Sequence, residues 1–587
     1  MSKIFSKLKY ISFNLLLVLD ENRNISLRIR KYYKWLLSCD SDMVNNKLFS
    51  IMEENIELAK KSNFKSEAPN GYNEHEFKPF FVGMTIKSQE SIEMQSVYGH
   101  LFELTKEPLS YVGRIQTRMG DPVKGGAVGS FPIDLPLSVD AMSNTVAFWE
   151  GINVSFWKCV DSYNNRFGKG LGRKNKRDNY LYFSKEHPEH FIQSERKYTY
   201  DLKSLEELLN QASKNLMRPD ILSSNVSIDI NHEKRYYVNS EGAKIFTTQD
   251  IYVFTVTVRA IDDDGFIVPM SKKFHCSEPK DFPTIDQLVS GGEVITRDLL
   301  DIIKSPFLKN GGYPTIFDSE NHGVLWHEDV GHALEGNGMQ KNIDDDSKFS
   351  VFEGKMGELV APEFITLLDD PTLKEHHGHY LYDEEGVKTK PVTLIENGIL
   401  KNYLHSRQSA GFFDTISNGH ARSEGVNDPE ARMSNLIVKS SKEVSSFAEL
   451  KENLVKYLVD NNKPYGLIMK GTDGGITLPD DCFFNTYPTN IFKVNKKGEE
   501  QRVRGVYIVG TPYQTLQNIL ITSNNYLPFN GYCGSESGWV PSTEIAPDVL
   551  LNNVDVNRIP RKEEFSDDDN EYIRQPVINL PRFTKDK

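Results

Sequence analysis

Leu325-Trp326-His327-Glu328-Asp329-Val330-Gly331-His332-Ala333-Leu334-Glu335-Gly336 is the stretch around which the rest of the chain is read. Two histidines with a glutamate directly after the first are the residue types that metal-assisted hydrolysis needs. Imidazole nitrogens hold a zinc ion, and the neighbouring carboxylate takes a proton from the metal-bound water. The histidines stand at i and i+5, whereas the familiar zinc-peptidase helix has them at i and i+4. On a regular α-helix five residues turn through ~500°, which leaves the two side chains ~140° apart and unable to share one ion. A π-bulge absorbs the extra residue and returns both rings to one face. Gly331, just before the second histidine, is placed to tolerate that distortion. The spacing therefore predicts an irregular helix. Two histidines on a surface helix with no metal would give the same letters, so the remainder of the chain has to decide.

At 587 residues the chain exceeds what one core usually supports, and two substantial domains are expected. A hydrophobic content of 38% and a charged content of 26% describe an ordinary globular protein. The net charge of -13 leaves no excess of cations for phosphates and argues against nucleic-acid binding. Cys39, Cys159, Cys276, Cys482 and Cys533 are scattered, odd in number and without a Cys-x-x-Cys pair. That excludes a disulfide framework or zinc ribbon and points to a reducing, cytoplasmic setting. Lys3, Lys7 and Lys9 before the apolar run Ile11–Leu19 imitate an export signal, but Asp20-Glu21-Asn22-Arg23 follows in place of a small-x-small cleavage site. A short amphipathic helix is the preferred reading. No run is long enough to span a bilayer, so no membrane partner is expected.

The expected architecture is α+β in two domains, an N-terminal α/β domain with long helices and a β-rich C-terminal domain carrying the histidine helix. Residues 1–45 read as a helical extension, 46–304 as the first domain, 305–557 as the second and 558–587 as a polar tail. Helices are predicted from about Asn46 to Lys61, Pro136 to Tyr163, Asp201 to Leu216, Thr284 to Ile303 and Ser446 to Val459. Strands are predicted over Phe80–Ile86, Ile92–Tyr98 and Tyr111–Arg118, with a β-rich block up to Lys273. Pro306 with Gly311-Gly312 suggests a hinge, and Asn397-Gly398 a tight hairpin. Gly168-Lys169-Gly170-Leu171-Gly172-Arg173-Lys174 lacks the order of a phosphate-cradling loop and reads as a solvated connection. Glu375-His376-His377-Gly378-His379 has metal-binding composition but reads as an exposed loop. No Gly-x-Ser-x-Gly elbow is present.

Four blocks, in order, resemble the TldD/PmbA family of zinc-dependent peptidases, on its TldD-like branch. They are His327–Gly336; Leu367–Leu373 with Asp383-Glu384-Glu385-Gly386 and Ile395–Gly398; Ser417–Arg422 running to Arg432-Met433-Ser434-Asn435; and Asn530-Gly531-Tyr532-Cys533-Gly534. The resemblance runs from about residue 47 to 556 and is strongest beyond Asp318. It implies a Zn2+ cofactor ligated by His327, His332 and Cys533, with Glu328 as general base. Three protein ligands leave one tetrahedral position for water, as a catalytic zinc requires. It further implies small or unfolded peptides as substrates, taken into a chamber formed by a dimer, either a homodimer or a heterodimer with a PmbA-like subunit that lacks the zinc motif. A non-catalytic scaffold or peptide-binding subunit is the alternative, and a hydrolase of non-peptide amides a further one. Within the third block, His420 and Arg422 either stabilise an oxyanion or anchor substrate backbone, or they organise the turn at Asn418-Gly419. The chain departs from the best-known members after the Cys-Gly pair. They carry a Lys and a Gln, where Ser535-Glu536-Ser537-Gly538-Trp539-Val540-Pro541 stands here.

Overall fold

The computed structural model describes residues 41–61, 64–65, 76–77, 79–121, 125–136, 141–168, 181, 183–195, 200–341, 350–478, 483–511 and 515–559. The expected N-terminal extension up to residue 40, most of the basic glycine loop and most of the polar tail lie outside these residues. Two sheets dominate, each with helices against it, which is the α+β two-part layout the sequence led us to expect.

The N-terminal half begins with α1 (Ser41–Lys61) and continues with β1 (Phe81–Val97), β2 (His100–Asp121), β3 (Gly125–Asp134), α2 (Ala141–Gly168), β4 (His190–Ile192), α3 (Leu202–Asn215), β5 (Ser223–Asn239), β6 (Lys244–Ile261), β7 (Ile267–Cys276) and α4 (Ile285–Ile302). Strand order is β3-β2-β1-β5-β6-β4, with β7 also on β6. Leu48, Met52 and Ile56 of α1 pack with Phe148 and Ile152 of α2 against Met84, Ile86 and Ile115. Leu205 and Leu209 of α3 meet Leu288 and Leu299 of α4 over Ile228, Phe254 and Val256. Both later helices start on local caps. Asp201 accepts from the Ser204 N–H, and Thr284 forms a reciprocal box with Gln287.

Two expectations are corrected in this half. The separate strands over 80–86 and 92–98 are one strand, because the polar run Lys87–Ser91 continues the ladder against both β2 and β5. Lys87 and Ser88 are buried there. Pro136 lies outside the long helix, which is described over Ala141–Gly168.

The C-terminal half builds a twelve-stranded sheet. Its main strands are β8 (Gly311–Phe317), β9 (Ile365–Asp369), β10 (Val392–Glu396), β11 (Ile399–Leu400), β12 (Asn435–Ser440), β13 (Tyr465–Leu478), β14 (Phe483–Asn495), β15 (Val506–Gly510), β16 (Ile519–Ser535) and β17 (Gly538–Arg558). They run β8-β13-β14-β15-β17-β12-β9-β10-β11, with β16 on β17. Because β8 also pairs with β17, five of these strands close into a circuit. Helix α5 (Ser319–Trp326) leads into the histidines, and α6 (Phe447–Asp460) covers Ile316, Ile468 and Val494. Asn397 and Gly398 both adopt positive φ, 48° and 77°, as a two-residue hairpin demands. Gly311-Gly312 opens β8, paired with Val556 and Asp555.

The two halves are joined by buried charge. Asp383-Glu384-Glu385-Gly386 inserts against the N-terminal sheet, where Glu384 meets Lys87 at 2.9 Å and Arg235 at 3.1 Å. Arg407 reaches back to Glu241 at 2.7 Å. Gly386 has φ +79°, and a Cβ there would lie 2.4 Å from the Tyr237 ring. Only glycine satisfies both the backbone and the contact.

Candidate metal centre

Helix α5 is capped by Asp318, whose carboxylate accepts from the Asn321 N–H. Its regular turns end at Trp326, and His327–Gly331 form a π turn in which the His332 N–H donates to the His327 carbonyl, five residues back. That extra residue is what brings the two rings together, with centroids 4.9 Å apart. Gly331 acts differently from the expectation. Its backbone is ordinary helix (φ -56°, ψ -54°). Its small size is the requirement, since a Cβ would fall 1.9 Å from the Met433 sulphur.

Strand β16 supplies Cys533, buried and facing the π turn. Donor atoms of His327, His332 and Cys533 lie within 4.8 Å of one another. Each histidine is oriented through its other nitrogen. His327 Nδ1 is 2.7 Å from Glu544 on β17, and His332 Nδ1 is 3.1 Å from Glu335. An ionised carboxylate can only accept, so both Nδ1 atoms carry a proton and Nε2 is the nitrogen each ring presents to a metal. Gly323 allows the close approach of α5 to β17, because a Cβ there would be 2.8 Å from the Glu544 Cβ.

The electrostatics match a cation. Burial alone would raise the Cys533 thiol, yet the rings of His332 and His327 and the Arg432 guanidinium together hold it well below its ordinary range. Burial likewise disfavours charge on His332, but the Cys533 thiolate and Glu335 outweigh it and push that imidazole up to about 10. The pocket thus draws positive charge onto the rings. One thiolate and two imidazoles suit zinc, and three ligands leave the open position of a catalytic site.

Glu328 stands between the two histidines, directly after His327 in the π turn, and is also buried. Its Oε2 accepts from the Thr477 hydroxyl at 2.5 Å. Gly475 keeps room beside it, since a Cβ there would lie 2.6 Å from Glu328 Cγ. The two substrate-binding candidates are placed elsewhere. His420 is wholly buried, bonded to Asp369 and to Asn418 beside the Ser417–Gly419 turn. Arg422 donates to the carbonyls of Met433 and Pro541 and borders a cavity of about 330 Å³ between the two halves. Lys87, Arg235, His377 and Trp539 also line that cavity, and the metal-capable residues do not. In the histidine-rich loop, His377 packs on His275 and Tyr532, and His379 binds the Pro371 carbonyl.

Sequence reasoning missed Glu335, Glu544, Arg432 and Thr477. Glu335 carried a local signal, three residues after His332 and so on its face of a helix. Arg432 stands in the third quoted block without a role assigned to it, and Glu544 and Thr477 come from distant strands with nothing in their neighbourhoods to mark them.

The model of the PmbA/TldA metallopeptidase C-terminal domain matches residues 310–558. A metalloprotease of Methanocaldococcus jannaschii is 30% identical over 343 residues, covering 58% of this chain and 71% of that protein. The chain belongs to the PmbA/TldD family. Another PmbA/TldD relative, the zinc metalloprotease TldD homolog of Saccharolobus solfataricus, is 24% identical over 364 residues, covering 60% of this chain and 76% of that one. The PmbA/TldD fold is shared with TldE from Thermococcus kodakarensis, at a TM-score of 0.57 and 16% identity over 86% of this chain and 99% of that structure. Among the described residues no helix is long and apolar enough to cross a membrane. Described cysteines 159, 276 and 533 are all free.

Proposed function

We propose that this PmbA/TldD protein is a zinc-dependent metallopeptidase of the TldD-like, catalytic kind, acting on small or unfolded peptides in a reducing, cytoplasmic setting. The observation that carries this reading is the convergence of His327, His332 and Cys533 donor atoms within 4.8 Å, directly beside Glu328. Names of relatives as metalloproteases and a zinc metalloprotease support it. His327, His332 and Cys533 would hold the ion, which when bound supplies Lewis-acid polarisation of the scissile carbonyl and an acidified water.

The chain's own residues do the rest. Thr477 fixes Glu328 Oε2, which leaves Oε1 to take a proton from the attacking water and return it to the leaving amine. Glu544 and Glu335 hold the rings so that Nε2 faces inward. Burial of His327, Glu328, Cys533, Glu335 and Glu544 limits competition from bulk water for these contacts. The working form is a dimer, with a second copy or with a PmbA-like subunit, and the substrate chamber lies between subunits.

Digestion of a peptide library by zinc-loaded wild type and by Glu328→Gln tests the reading. Fragments are expected from wild type alone. A zinc-loaded wild type that cuts no peptide, or a variant that cuts equally well, overturns it.

A further inference from the structure

Arg432 is wholly buried, and its side chain makes four hydrogen bonds, all to the hairpin that carries Cys533. Nη2 donates to the Cys533 sulphur at 3.0 Å and to the Cys533 carbonyl at 2.7 Å. Nη1 donates to the Ser537 hydroxyl at 2.7 Å and to the Gly538 carbonyl at 3.0 Å. The two nitrogens therefore grip opposite strands of the β16–β17 hairpin, on either side of its two-residue turn Glu536-Ser537. Nε lies 3.6 Å from Glu335, the carboxylate that orients His332. One planar fork thus touches the sulphur ligand, the strand that follows it and the support of a second ligand.

We propose that Arg432 is the positioning residue of the metal centre, holding the Cys533 hairpin in ligating geometry and tying it to the His332–Glu335 pair. The proposal rests on the zinc reading above. It also gives the departure after Cys533-Gly534 a purpose. Ser537, 1% exposed, is the outer anchor of the clamp. A guanidinium suits the task because its donors are fixed in one plane, whereas a lysine ammonium is a point charge on a flexible stem and reaches one or two of these acceptors at a time. Arg432 also offsets charge, since the thiolate, Glu335 and Glu544 all lie close to the intended ion and one buried cation balances part of them.

The test compares wild type, Arg432→Lys and Ser537→Ala as full chains. Zinc affinity is read by competition with a chromophoric chelator, and cysteine ligation by the sulphur-to-metal charge-transfer band of the cobalt(II) form. Loss of an outer-shell partner typically weakens metal binding about 10- to 100-fold. Arg432→Lys is expected to fall in that range and to lose intensity in the cobalt–sulphur band. Ser537→Ala, which removes one anchor, is expected to weaken zinc roughly threefold or more. A folded Arg432→Lys with wild-type affinity and an unchanged band overturns the clamp. Should that variant not fold, Ser537→Ala decides alone, and wild-type affinity there overturns the clamp. Failure of wild type to bind zinc at all instead defeats the underlying zinc reading.

Discussion

Glu544 accepts from His327 Nδ1 at 2.7 Å although 217 residues separate them, the carboxylate on β17 and the imidazole at the end of α5. The bond holds the proton on Nδ1 and sets the direction of the ring, so Nε2 is held toward the metal position once the sheet has closed behind the helix. Glu544→Ala is expected to weaken zinc binding about 10- to 100-fold while the protein stays folded. Isothermal titration of the metal-free protein checks this. Unchanged affinity would mean that α5 alone orients His327.

Thr477 contacts Glu328, the proposed general base. Replacing it with valine keeps the shape and removes the hydroxyl that meets Glu328 Oε2 at 2.5 Å. We expect kcat to fall about tenfold with KM nearly unchanged, as for the loss of one positioning hydrogen bond. Steady-state kinetics on a cleavable peptide measure the split, and a rise in KM alone would place Thr477 in substrate binding.

Much of the secondary structure was legible because its causes are local. Apolar spacing with capping residues announced α3, α4 and α6, and Asn397-Gly398 announced its hairpin through the positive φ both residues need. The π turn was legible too, since five-residue spacing of two ligands leaves few other geometries. Lys87–Ser91 misled because a polar run reads as a break between strands, whereas the burial of Lys87 follows from Glu384 and the ladder follows from β5, which no local window contains. Glu544 and Thr477 were invisible for the same reason, since each acts on a residue far away in the chain from an unremarkable strand. Arg432 stood in a quoted block, but its contact with Cys533, 101 residues on, has no local sign.

Gly331 tests the packing account of the π turn. Alanine there places a Cβ 1.9 Å from the Met433 sulphur, and overpacking of this kind costs about 1–3 kcal/mol. If size and not backbone freedom is what matters, Met433→Ala should relieve it. The double variant should then be more stable than the sum of the two single changes, by roughly 1 kcal/mol or more in denaturant melts. Strict additivity would show that Gly331 is needed for its conformation.

His322 gives a pH signature away from the metal residues. Its Nδ1 donates to the Pro547 carbonyl at 2.6 Å and its Nε2 accepts from Trp326 Nε1 at 2.8 Å, so a second proton breaks the tryptophan bond. Burial holds this imidazole down to about 4. The folded value lies below the unfolded value of about 6.5, so the unfolded chain takes up a proton first. The stability His322 contributes is therefore complete above about pH 6.5 and lost as pH falls toward 4, on the order of 3 kcal/mol in all. The stability gap between wild type and His322→Asn should narrow over that window. A gap that is constant with pH would contradict the assignment.

Metal content is the most direct measurement of the central claim, made on wild type and Cys533→Ser purified without chelator or nickel. About one zinc per chain in wild type, lost or sharply weakened in the variant, is the predicted result for a three-ligand catalytic site. Well-folded wild type that takes up no zinc even when zinc is supplied would contradict the account.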